Sequence, residues 1–359
     1  MAISSSIMYL SELEEMVKKE GPGVHYIAEV RNDLVEALHR AHIAVVDPSG
    51  KLLLSSGNPH LVTYSRSCIK PIQALPILIS GAADQYGLTD QEIAIISGSH
   101  SGQSEHVELV RSILHKAELD ESLLKCSGHA PFHKGTAKSI GENYTPLHDN
   151  CSGKHAGALL LCKFKGWDLE SYLEPDHPLQ YEILDVISSL TGIRKGSIHM
   201  GSDGCDIPNH VVPIDQMARM FALLKEPGGH PLSPHLKRVG RAMMEHPFMV
   251  AGKDRFDTVI MEDLKGSVLS KAGAAGLQTL AVEHDCRWIG VSLKIEDGAY
   301  SMIPPLTYSI LENLGMRGTR SEKGEEYAGA LIRTRSRKVV GRSVIIGKMT
   351  EKTISKRIV

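Results

Sequence analysis

The chain has 359 residues, 42% hydrophobic, 23% charged and 5% aromatic, a composition that excludes a disordered, collagenous or small disulfide-stapled protein. Forty Lys and Arg against 42 Asp and Glu leave a formal charge of -2, so the molecule as a whole has no electrostatic claim on nucleic acid or an acidic membrane. The cysteines Cys68, Cys126, Cys151, Cys162, Cys205 and Cys286 form no CxxC pair or dense framework; with no secretory leader and no membrane-spanning apolar run, the sequence predicts a reduced, cytoplasmic protein.

Ser11 and Glu14 read as a capping box for a short charged helix ending at Gly21, in an N-terminal extension (residues 1–25) set outside the main body as a partner-binding arm. Two apolar runs, 42–46 and 51–54, flank the turn residues Asp47, Pro48, Ser49 and Gly50 and predict a β-hairpin. From Ser67 the pattern turns helical, with further helices over 90–97, 104–118, 153–165, 178–191, 215–225 and 234–245. Strands follow over 268–271, 278–282 and 288–296, then a closing helix over 304–314. Strands at both ends around a helical middle predict an α+β fold, helices packed on one antiparallel sheet.

Residues 317–359 hold 12 Lys and Arg against four Asp and Glu, about +8, which leaves the preceding 316 residues near -10. Val339, Val340, Val344, Ile345 and Ile346 alternate there in a strand pattern without interleaved aromatics. This reads as a solvated strand with basic flanks, touching the acidic body or another subunit, rather than as a nucleic-acid arm.

Several motifs carry chemistry. Ser67 and Lys70 form an S-x-x-K tetrad on one helix face, where a neutral amine takes a serine's proton if burial depresses its pKa. Ser122 and Lys125 repeat the spacing in a charged setting, but only Ser67 is followed by an apolar, buried helix. Residues 97–102 (SGSHSG) put Ser99 in a glycine-flanked loop that either meets a ligand or caps the next helix. Cys151, Lys154 and His155 cluster at a buried helix N-terminus, open to three readings: a cysteine nucleophile with His155, an anion site, or metal ligation. Asp203 and Cys205 lie in a second shaped loop. One thiol from each loop with a nitrogen or oxygen donor suits Zn²⁺ with an open position, the bland alternative being buried structural cysteines. Lys271 ends a short strand beside Gly273, like the K-T-G element of serine β-lactamases, or is a surface lysine at a strand end.

In this order, residues 66–71 (RSCIKP), 97–101 (SGSHS), 150–155 (NCSGKH), 201–205 (GSDGC), 246–252 (HPFMVAG), 271–273 (KAG) and 294–298 (KIEDG) resemble the asparaginase II family, over roughly residues 30–315. The resemblance implies a serine β-lactamase and penicillin-binding-protein-like α+β fold with a helical subregion, and one catalytic domain over residues 26–359 that ends in the basic segment. It implies L-asparaginase activity with two pairs, Ser67 with Lys70 and Ser99 with Lys271, zinc held by Cys151, Lys154 and Cys205, and Arg66, His155 and Asp203 lining the substrate pocket. Ser67 then attacks the side-chain amide of L-asparagine, while Ser99 and Lys271 relay protons or supply the nucleophile. A homodimer is the family expectation, with no nucleic-acid or membrane partner. The rival readings are a glutaminase, a β-lactam or peptide hydrolase of the same fold, and a non-catalytic zinc or small-molecule binder. One departure stands out: Asp257 occupies a place where some zinc-containing members carry cysteine.

Overall fold

The computed structural model describes residues 8–21, 23–316, 318–329 and 331–351. The strands are β1 His25–Arg31, β2 Leu34–Val46, β3 Leu52–Ser56, β4 Val62–Tyr64, β5 Met200–Ser202, β6 Pro208–Pro213, β7 Val268–Gly273, β8 Leu277–His284, β9 Arg287–Ile295, β10 Leu331–Arg333, β11 Val339–Gly347 and β12 Thr350–Glu351. One antiparallel sheet runs in the order β10-β11-β1-β2-β9-β8-β7, with β3 on β2 and β12 on β3; β4, β6 and β5 form a small second sheet. The α+β expectation holds. Residues 41–46 of β2 are buried at successive positions, so both faces of the sheet centre are covered.

The helices that matter for the site are α1 Leu10–Glu20, α2 Lys70–Gln73, α3 Asp90–Ile96, α4 Ser104–Lys116, α5 Ser152–Lys165, α6 Pro178–Thr191, α7 Ile214–Lys225, α8 Ser233–Glu245, α9 Phe256–Asp263 and α10 Ile303–Asn313. Local chemistry explains several boundaries. Thr89 and Glu92 make a reciprocal capping box that starts α3, satisfying donors that a helix N-terminus leaves free. Pro178 opens α6, and Gly192 closes it with φ 77°, a left-handed conformation that glycine adopts without a Cβ clash. Every residue of α5 from Ser152 to Cys162 is buried, as expected of a helix apolar on all sides.

Four sequence expectations are corrected or extended. The helix α1 starts ahead of Ser11, with the Tyr9 N–H donating to Glu12 Oε2 at 2.8 Å, so Ser11 and Glu14 are not its capping pair. It lies on the outer face of the sheet, where Leu13 and Val17 pack on Ala28 and Val30 in a small cluster apart from the main core. Burial of each such side chain contributes about 1.5–3 kcal/mol. The hairpin predicted at residues 42–54 is present, with β2 and β3 paired from Ile43↔Ser56 to Val46↔Leu52, and it continues a longer meander in which β1 and β2 are joined by Asn32 and Asp33, both at positive φ, a turn that suits the strand twist. The segment after Ser67 is not one helix: it runs as a 3-10 turn over Arg66–Ile69, then α2, then further short helices. Finally, the basic C-terminal residues form β11, paired with β1 from His25↔Gly347 to Val30↔Arg342, so that strand belongs to the main sheet of its own chain.

Candidate active site

Four segments meet at one buried polar cluster: the 3-10 turn leading into α2, the loop after α3, the N-terminus of α5, and β7. Lys70 is 1% exposed, and its Nζ donates to Gly98 O at 2.8 Å, Ser99 Oγ at 2.9 Å, Cys151 Sγ at 3.2 Å and Asn150 O at 3.3 Å. Lys271, with no exposed surface, donates from Nζ to Ser99 Oγ at 2.9 Å and to Ala272 O at 2.7 Å. The Ser99 hydroxyl therefore bridges two buried amines. Burial pulls Lys271 down to about 8, because an ammonium loses its hydration there.

The expected pairing of Ser99 with Lys271 is present as a hydrogen bond, whereas Lys70 reaches Ser99 and not Ser67. Ser67 is half-buried, and among the described residues its hydroxyl has no hydrogen-bond partner. It follows Arg66, a non-glycine residue at φ 48°, a costly conformation that concentrates at functional sites. Arg66 is held there by its N–H to Asn209 Oδ1 at 3.0 Å and by its Nε to Asp203 Oδ1 at 2.8 Å. Burial opposes ionisation of Asp203, but the Gly204 N–H, Lys154 and Arg66 outweigh it and hold the carboxyl below its ordinary range.

Close backbone approach sets the position of the hydroxyls and amines. A Cβ on Gly98 would stand 2.6 Å from Val250 O, so only glycine lets this loop press against residues 246–252, where Ser99 N–H donates to Val250 O at 2.7 Å. A Cβ on Gly273 would stand 2.9 Å from Cys68 Sγ; its absence brings the 3-10 turn onto β7, where the Cys68 thiol donates to Lys271 O at 3.2 Å.

Next to this cluster, the Lys154 amine donates to Cys205 Sγ at 3.1 Å. The neighbouring Cys151 thiol, with Lys154, pulls Cys205 down to about 5 against burial, while Cys205 together with burial pushes Cys151 up to about 12. Burial alone would lower the proton affinity of Lys154, but Cys205 and Cys151 outweigh it and raise it. Two thiols and an amine converging from two loops fit the N/S donor chemistry of zinc, once Lys154 and Cys151 give up their protons. Among the described residues no trio of His, Cys, Asp or Glu gathers for a metal, so the set depends on its lysine. His155 lies behind the trio, fully buried, with Nδ1 2.7 Å from the Tyr172 hydroxyl and Nε2 without a partner. Burial lowers it to about 3, so the imidazole is neutral.

Sequence reasoning missed the polar scaffolding: the Gly98 and Asn150 carbonyls that hold Lys70, and Asn209, whose Oδ1 anchors both Arg66 N–H and the Ser65 hydroxyl. Backbone acceptors leave no residue-type signal, and an asparagine after proline reads as an ordinary turn.

Hydroxyls held against buried amines are the equipment of acyl-transfer hydrolases. The chain matches the L-asparaginase II family over residues 27–345 and belongs to that family; it is an amidohydrolase acting on a small molecule. No curated protein matches it. Solved structures similar to it include the probable glutaminase from Bacillus subtilis complexed with 6-diazo-5-oxo-L-norleucine, at 14% identity and TM-score 0.39, over 88% of this chain and 98% of that one. The β-lactamase from Sphaerobacter thermophilus is 13% identical with TM-score 0.42, over 77% of this chain and 92% of that one. Among the described residues no helix is long and apolar enough to cross a membrane.

Proposed function

We propose that the protein hydrolyses the side-chain amide of L-asparagine to L-aspartate and ammonia through a serine–lysine acyl-enzyme. The observation that carries this reading is the Ser99 hydroxyl at 2.9 Å from both the Lys70 and Lys271 amines. Two amines on one hydroxyl form a proton relay once one of them is neutral, and Lys271, held at about 8, sits close to the working range of a general base.

Ser67 has a free hydroxyl beside the Arg66–Asp203 pair, and it attacks the amide carbon. Since Lys70 bonds Ser99 and not Ser67, the Ser67 proton passes through a water taken up with the substrate to the Lys70–Ser99–Lys271 chain and returns to the leaving nitrogen; the C–N bond breaks, ammonia departs, and water then cleaves the aspartyl ester. Arg66 takes the α-carboxylate of the substrate and Asp203 its α-ammonium, the substrate's two charges replacing their mutual ion pair. Zinc would be held by Cys151, Lys154 and Cys205. When bound it would supply a fixed positive charge that orients and polarises the substrate.

A second reading makes Ser99 the nucleophile, favoured by its direct bond to Lys271. Preference for asparagine over glutamine rests on family membership, since one methylene in a pocket is worth only about 1–3 kcal/mol. Ser67→Ala is expected to abolish ammonia release while leaving the thermal transition in place; full retained activity refutes the assignment of Ser67. Ammonia release measured side by side should give a higher kcat/KM for asparagine than for glutamine, and the reverse order would make the protein a glutaminase.

A further inference from the structure

Asp257 occupies the first turn of α9 and is 3% exposed. Both its oxygens are engaged: Oδ2 accepts the Ala272 N–H at 2.8 Å, and Oδ1 accepts the Ser270 hydroxyl at 2.7 Å and Gln278 Nε2 at 2.9 Å. Strand β7 lies at the end of the sheet, so one row of its backbone groups has no strand partner. The Ala272 N–H belongs to that row, and the carboxylate takes the place of the missing strand. It grips β7 on both sides of Lys271, whose amine bonds the Ala272 carbonyl and Ser99.

The charged and titratable groups around Lys271 are Asp257 from α9, Lys70 from α2, Cys68 from the 3-10 turn, and Arg255 just before α9. Lys70 and Arg255 are cationic types, and burial pushes the Cys68 thiol up to about 12, which leaves it neutral. Asp257 is therefore the one carboxylate in that set that offsets an interior crowded with amines.

We infer that Asp257 is a positioning residue for the hydrolysis: it fixes the edge strand on both sides of Lys271 and supplies a negative charge within Coulombic reach of the Lys271 amine. The inference rests on the proposed role of Lys271 as base. Burial favours the neutral amine and Asp257 opposes it, so removing the charge lets Lys271 lose its proton at lower pH.

Asp257→Asn tests this with little change of shape. The new amide oxygen keeps the Ala272 N–H, and its NH₂ meets the Ser270 hydroxyl and, once the Gln278 amide turns over and gives up its Nε2 bond to Ser270, the Gln278 Oε1. The measurement is kcat/KM for asparagine against pH, together with thermal melts, for the native chain, Asp257→Asn, Asp257→Glu and Lys271→Met. The acid-side limb is expected to move to lower pH by about one unit in Asp257→Asn, and to stay near its native position in Asp257→Glu, with kcat reduced by the extra methylene. An unmoved limb in Asp257→Asn, with only the melt lowered, overturns the inference and leaves Asp257 a structural residue. If Asp257→Asn does not fold, the neutral and smaller Asp257→Ser carries the same expectation. Lys271→Met as active as the native chain overturns the reading of Lys271 and the inference with it; an inactive Lys271→Met beside an unmoved Asp257→Asn limb overturns the role of Asp257 alone.

Discussion

Lys271 and Lys154 are both buried, in neighbouring clusters of one interior, yet they are driven in opposite directions. Burial favours the neutral amine at each site. Around Lys271 the immediate partners are a hydroxyl and a carbonyl, and burial wins, bringing it to about 8. Around Lys154 the partner is the Cys205 sulfur, whose own proton is lost at about 5, with a second thiol on Cys151. Sulfur wins there, and Lys154 keeps its proton until something more positive displaces it. Residue type and depth do not decide what a buried lysine does; the charges and hydrogen-bonding atoms gathered around it do.

The largest effect that tests this contrast comes from removing the Lys271 amine. Lys271→Met is expected to cut ammonia release by about 10²–10⁴-fold, the worth of a positioned general base. In the native chain the rate should climb as pH rises through about 8, since a base must first lose its proton; a rate that falls over that range assigns Lys271 the opposite role. The proposed zinc should be found by elemental analysis at about one ion per native chain, and Lys154→Met should remove it with a smaller loss of activity than Lys271→Met. Unchanged zinc content would dissolve the distinction between the two lysines. The smallest effect is mechanical: Gly273→Ala places a methyl 2.9 Å from Cys68 Sγ and should cost about 1–3 kcal/mol in chemical denaturation. Adding Cys68→Ala should restore part of that loss, and no restoration would mean the contact is not what sets the approach of the 3-10 turn to β7.

Much of the fold is legible where local chemistry and burial agree. The predicted helix over 178–191 matches α6 at both ends because proline and glycine punctuate it, and the strand over 288–296 differs from β9 by one residue at each end. The helix α9 was missed because residues 246–252 read as a motif and the stretch after it was given no element, and β1 was missed because its turn, Asn32 with Asp33, lies between runs of mixed polarity. At the site, residue types are readable and pairings are not. Regular helical spacing puts Lys70 beside Ser67, but the chain enters α2 through a 3-10 turn that follows the left-handed Arg66, and the amine instead spans to Ser99. Asp257 shows the same limit from the other side: its chemistry depends on β7 being an edge strand, and edge position is a property of the whole sheet.

The central claim is that Ser67 carries the acyl group while Ser99 and the two lysines move protons. The direct measurement is to quench the enzyme in acid during turnover of L-asparagine, digest it, and locate the aspartyl ester by mass spectrometry. The added aspartyl mass is expected on the peptide containing Ser67. Its appearance on Ser99, or its absence from both serines while ammonia release continues, would overturn Ser67 as the nucleophile.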